Sequence, residues 1–309
     1  MQALTTLFPV FFMLALGFIC RQKGWITPAQ KDGANAIVFN ILFPILIFNL
    51  VCSASIEMDS LKIVGYVLVM FILAIVVGKL VAKKLDPKHA HFIPYLLSCI
   101  EGGNVALPLY LSIVGASSNT VIYDLAGTCM AFMIVPVLVA KEASSSSSAK
   151  EMIKNIFSNT FVITVILALF LNLTGLYSLA INSAFGDMIT ATFSTATQAI
   201  VPMILFILGF DLSIDKETIG PILKVAALKT IYFAIVIAGF FLLFPTKMAD
   251  KSYMMAPIIY FMSPTGFGLF PVISPLYKDE DDASFTSAFV SIYLIITLIV
   301  YTAVVLFIA

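Results

Sequence analysis

The sequence predicts an all-α polytopic membrane protein of ten transmembrane helices, built as two inverted five-helix repeats with broken crossing helices 4 and 9. Three observations predict it. The 309 residues are 61% hydrophobic and 11% charged, with a mean hydropathy of +1.07, whereas soluble domains are roughly half apolar and about a quarter charged. The apolar residues fall into stretches near the roughly 20 residues that span a bilayer. A serine run near the middle of the chain parts these stretches into two equal sets.

The predicted spans cover roughly 3–20, 35–53, 61–81, 93–115, 120–140, 156–175, 190–210, 219–244, 253–277 and 285–307. The first is apolar from Ala3 and lacks a basic leader or a small-residue cleavage site, so it reads as a retained helix and not a signal peptide. Lys and Arg fix the orientation. Thirteen of the 17 basic residues fall in odd-numbered loops, from Arg21 to Lys278. Only Lys62, Lys247 and Lys251 fall in even-numbered ones. The odd loops are therefore expected in the cytoplasm and both termini outside.

The stretch from Lys141 to Lys150 contains Ser144–Ser148, a composition that makes a flexible linker. It divides the chain into a first repeat (1–140), a cytoplasmic linker (141–155) and a second repeat (156–309). An odd number of helices per repeat inverts the second half, the plan of many secondary transporters. The halves echo one another. Phe43-Pro44 in span 2 matches Val201-Pro202 in span 7, and Gly103 to Pro108 in span 4 has the spacing of Gly266 to Pro271 in span 9.

Spans 4 and 9 carry the candidate site. Span 4 holds Glu101, Gly102, Gly103, Asn104 and Pro108; span 9 holds Ser263, Pro264, Thr265, Gly266 and Pro271. Proline removes a backbone donor and glycine tolerates unusual dihedrals, so both invite unwinding. Unwound backbone at membrane depth survives only in protein or along a cavity, and paired broken helices point to a midplane binding site. The same residues also make ordinary kinks and packing surfaces. Ionisable groups within spans add candidates for coupling: Glu101, Asp124 and Lys229. Asp124 equally suits a wet helix start. Lys229 suits either a counter-ion to Glu101 or Asp124 or a side chain reaching for the interface.

Other classes are excluded. Net charge is zero, which gives no case for nucleic acid. Cys20, Cys52, Cys99 and Cys129 are far apart with no metal spacing, and His89 and His91 read as part of a solvated loop. There is no nucleotide-binding glycine loop and no nucleophile–His–acid set, so no cofactor and no enzymatic activity are expected.

The opening order resembles a known family: Phe8-Pro9-Val10, then Leu16 to Ile26 with Arg21 and Trp25, then Val38 to Phe48 with Asn40 and Pro44. Leu208-Gly209-Phe210-Asp211-Leu212 and the crossover prolines, Pro108 with Pro264 or Pro271, extend it. The pattern is similar to the auxin efflux carrier family, the plant PIN proteins and bacterial organic acid permeases. The resemblance implies the sodium/proton antiporter fold, a scaffold of spans 1, 2, 6 and 7, and a transport domain of spans 3–5 and 8–10. It also implies a homodimer in the bacterial inner membrane and elevator-like transport of a small organic anion. One departure matters. The family places Asn seven residues before the span 4 proline, where this chain has Glu101. A carboxylate there points to proton coupling or to a substrate with a cationic group. The competing expectations are a bile acid/sodium symporter-like carrier and a membrane sensor of a lipid or metabolite.

Overall fold

The computed structural model describes residues 2–54, 58–115, 117–143, 160–212, 219–266 and 269–309. Among the described residues the chain is all-helical, without strands. Six helices are long and apolar enough to cross a membrane. They are α1 (Gln2–Lys23), α2 (Pro28–Cys52), α3 (Met58–Leu85), α9 (Gly186–Asp211), α10 (Ile219–Leu243) and α14 (Glu280–Phe307). The other elements are shorter: α4 (Ile93–Leu96), α5 (Gly102–Val114), α6 (119–142), α7 (Thr160–Leu173), α8 (Leu176–Ile181), α11 (Pro245–Met248), α12 (Lys251–Phe261) and α13 (Leu269–Ile273).

Two predicted spans are not continuous helices. Span 4 is α4 and α5 with non-helical backbone between, and span 9 leaves the helical state after α12, with non-helical backbone at 262–266, and resumes as α13. Helix α2 begins at Pro28, seven residues before the predicted start. Thr27 and Gln30 form a reciprocal capping box there, with Pro28 in the first turn where no amide donor is needed. The Ser144–Ser148 run lies outside the described residues.

Three helices contain a π-turn: Val38–Leu42 in α2, Gly102–Ala106 in α5 and Met130–Ile134 in α6. Each is followed by a proline in the first turn of the next α-helical segment: Pro44, Pro108 and Pro136. A proline ring clashes with the carbonyl four residues earlier. The wider turn takes that carbonyl out of the way, so the helix passes the proline without breaking.

Helix α1 packs chiefly on α9, and α2 on α7. The α1–α9 crossing is close because Gly17 faces the Phe206 carbonyl and Gly209 faces the Leu14 carbonyl, leaving no room for a β-carbon at either. Helix α3 packs on α6, while α10 packs on α14 and α12.

Polar contacts sort to the two ends of the bundle. At one end Arg21 Nη1 donates to the Phe210 and Leu212 carbonyls (3.2 Å each), Lys31 pairs with Asp211 (3.0 Å), Lys79 with Glu142, and His89 with Asp281. At the other, Asn172 Nδ2 donates to the Val51, Cys52 and Ala54 carbonyls, and Tyr110 donates to the Ser252 carbonyl (2.9 Å). Ala3, Thr6 and Ala309 share a cavity with Ile113 and Met255, so both termini sit at this second end.

A test of the α1–α9 crossing is thermal unfolding in detergent. Overpacking costs about 1–3 kcal/mol, so Gly17→Leu and Gly209→Leu should each lower the melting temperature by several degrees. Gly33→Ala, where a β-carbon meets open space, should not.

Candidate functional site

The two broken segments cross and are joined through their backbones. Glu101 N donates to the Pro264 carbonyl at 2.8 Å. Glu101 is also the N-cap of α5, its carboxylate accepting from Asn104 N at 3.2 Å. That cap satisfies one amide of an exposed helix start and sets a negative charge against its positive end.

A cavity of about 350 Å³ opens beside the crossing. Glu101, Gly102, Gly103 and Asn104 line it from α5 and its cap, Asp124, Gly127, Thr128 and Ala131 from α6, and Phe39 and Phe43 from α2. Cys99 and Ile100, from the non-helical stretch before α5, complete the wall together with Gly266 and Leu269. All three π-turns contribute to the lining: Phe39, the Gly102–Asn104 stretch and Ala131. π-turns inside α-helices recur at functional sites.

Asp124 is drawn into this site and is not at a wet helix start. It accepts a hydrogen bond from Tyr260 of α12 at 2.8 Å. Its carboxylate lies against Gly102, whose missing side chain makes the approach possible. Gly103 is needed in the same way for the Phe43 ring, which would meet a β-carbon at 2.6 Å. Asn104 Oδ1 is buried and has no hydrogen-bond partner among the described residues. The cavity thus carries two carboxylates and an amide oxygen, and no Lys or Arg among its described lining.

Lys229 lies behind the crossing, fully buried. Its Nζ donates to Thr265 Oγ1 (2.6 Å) and lies 3.3 Å from the Leu96 carbonyl and 3.5 Å from that of Cys99. It stands 4.8 Å from the Tyr293 ring centroid, a cation–π distance. Both the counter-ion and the interfacial readings placed its amine elsewhere. Instead the amine donates towards carbonyls at the end of the first half-helix and ties them, through Thr265, to the second broken segment. Thr265 Oγ1 itself donates to the Leu96 carbonyl.

The remaining sequence candidates divide by role. Ser263 is buried and donates to the Ile259 carbonyl (2.8 Å), closing α12. Pro264 contributes its carbonyl to the crossing, Pro108 is buried in the first turn after a π-turn, and Pro271 lies in α13. None of these lines the cavity. Sequence reasoning missed Phe39, Phe43, Gly127, Thr128 and Tyr260. Gly127 and Thr128 follow Asp124 by three and four residues, the spacing of one helix face, and could have been found from it. Tyr260 comes from another helix and could not.

A family model described as membrane transport protein matches residues 2–160, more than half of the chain. The chain belongs to that family, the auxin efflux carrier (PIN-like) family. No curated protein matches it. The auxin efflux carrier assignment makes the chain an integral membrane transporter, in a family of transporters and not of enzymes. The matched region contains the α4–α5 break, Glu101 and Asp124, while the α12–α13 break lies beyond it.

The role of Lys229 can be checked by stability alone. Lys229→Met strands buried carbonyls at a cost of about 1–3 kcal/mol each, so its melting temperature in detergent should fall well below that of wild type. A melting temperature unchanged from wild type would remove Lys229 from the crossing.

Proposed function

We propose that the protein is a secondary carrier that moves a small organic anion, or another carboxylate-bearing metabolite, together with protons taken up by Glu101 and Asp124. The observation that carries this reading is the pair of carboxylates in one cavity at the hydrogen-bonded crossing of two broken helices. An ionised carboxylate repels an anion and offers it no donor. A protonated one donates an O–H. A solute carboxylate therefore binds after the proton does, and leaves when the proton leaves. The proton adds one positive charge to the site for each acid it neutralises, which ties anion and proton stoichiometry together.

The architecture behind this reading is ten crossings in two inverted repeats. The sorting of loop contacts to alternate ends, with both termini at one of them, supports it. So does the packing, since α1 on α9 and α2 on α7 exchange under an inversion that relates the first helices of each half. Equating Gly103 with Gly266 makes Glu101 the counterpart of Pro264, and these two residues are hydrogen-bonded to each other. The elevator motion follows from the same division: α1, α2, α7 and α9 form the scaffold, and the crossing slides past it with its cavity against Phe39 and Phe43. Cavities of about 410 Å³ near Arg21 and Lys31, and about 370 Å³ near Asn49 and Lys247, lie towards the two ends. We further read the protein as a homodimer with its linker in the cytoplasm.

A second reading has one observation in its favour. Carboxylate and amide oxygens are the ligand types of hard cations, and Asn104 Oδ1 is an acceptor awaiting a partner. Sodium-driven uptake is that alternative.

Uptake into proteoliposomes across an imposed pH gradient separates the two. Glu101→Gln and Asp124→Asn are each expected to bind solute yet lose the response to the gradient. A full response in both variants, or uptake that follows sodium and ignores pH, would falsify proton coupling. Topology is tested by single cysteines at Ser146 and Ala309 on a cysteine-free background. They are expected to label from opposite sides of intact cells.

A further inference from the structure

The loop at 86–92 is only partly solvated: Pro87 and Lys88 are exposed, while His91 is half-buried. Asp86 and His89 are buried, and so is Asp282 at the start of α14. The His89 ring stacks on Phe285 with centroids 4.1 Å apart. Its Nδ1 meets Asp86 Oδ2, and its Nε2 meets Asp281 Oδ2 at 2.9 Å, with Asp282 Oδ1 at 3.8 Å.

A neutral imidazole has one N–H and one lone pair. With a carboxylate oxygen against each nitrogen, one of the two contacts would then set lone pair against lone pair. Only the doubly protonated ring donates to both. His89 is 3% exposed, so water is poorly placed to fill in. Asp86 is three residues away in the same loop and stays beside the ring whichever form is present. Asp281 belongs to another element. It is the contact that loss of the proton opens.

That contact bridges two strategic segments. The 86–92 loop runs directly into α4, the first half of one broken helix. Asp281 stands at the head of α14, eight residues after α13 ends at Ile273. Other charged groups face the ring from the same elements. Lys88 pairs with Asp281, and that hydrogen bond holds its ammonium above the usual lysine range, so it stays charged while a histidine titrates. Lys88 is exposed, and an exposed pair is weak. His91 Nε2 meets Asp282 Oδ2 at 3.1 Å, and that oxygen also accepts from Lys278 N at 2.7 Å. Asp279 accepts from the Asp281 and Asp282 amides and caps α14.

We propose that His89 is a proton-operated latch: doubly protonated, it clamps the loop that feeds the first broken helix to the head of the last helix, and on losing a proton it lets them part. Histidine is the side chain suited to such switching near neutral pH. The latch sits at the end of the bundle where the lysines gather, so it responds to pH on one side of the membrane only.

The test is a distance measurement on the full-length protein in detergent, independent of any substrate. Spin labels at Ala90→Cys and Ser284→Cys, on a background lacking the native cysteines, report the gap between loop and helix. From about pH 5 to about pH 8 the share of the longer distance should rise severalfold. In His89→Gln, which cannot carry the charge, the distribution should no longer change with pH. In His91→Gln the response should survive. A wild-type distribution that ignores pH, or a pH response that persists in His89→Gln, overturns the proposal.

Discussion

The architecture depends on one constraint: polar backbone at membrane depth must find its partners inside the protein. Both crossing segments leave the helical state near the middle of the molecule, and each would be prohibitively costly alone. They are tolerable because they serve each other. Glu101 N meets the Pro264 carbonyl, Thr265 meets the Leu96 carbonyl, and Lys229 covers Leu96 and Cys99 from a third helix. The charges near the crossing follow from the same need. The Lys229 amine stands where carbonyls end a half-helix, and the Glu101 carboxylate stands where amides begin one.

This arrangement separates two jobs that the sequence leaves superimposed. Lys229 and Thr265 hold the crossing from behind, through bonds to carbonyls. Glu101, Asp124 and Asn104 face the cavity in front. The glycines between them are set by contact: Gly102 admits Asp124 and Gly103 admits Phe43. An ionisable residue within a span is a reasonable functional candidate, but Lys229 shows that the fold itself can be the function it serves.

Much of this was legible from residue order. The helical class, the two interruptions and the family follow from hydropathy, from Gly and Pro placement, and from short motifs, because each is a local property of the chain. The division of the candidates was not. Glu101 and Lys229 look alike in sequence, as ionisable residues within apolar spans, and only the third dimension puts one before the crossing and the other behind it. Asp124 suits a wet helix start as well as a coupling role until its partner is seen, because that partner, Tyr260, is 136 residues away. His89 looked solvated because Asp281 and Phe285 arrive from the far end of the chain. The π-turns left no sign beyond a proline, and prolines such as Pro9 and Pro257 sit within helices that contain no such turn.

Those π-turns give the cavity wall an unusual freedom. Each holds one residue more than an α-helix of the same length requires. Moving that surplus along the helix rotates every side chain it passes by about 100° while both ends stay anchored. Two of the walls around the Glu101–Asp124 cavity, α2 and α6, carry such a surplus with helix on both sides of it. The lining can therefore be re-dealt, by a shift in register or by loss of a single codon, without disturbing the helix ends that the bilayer holds in place.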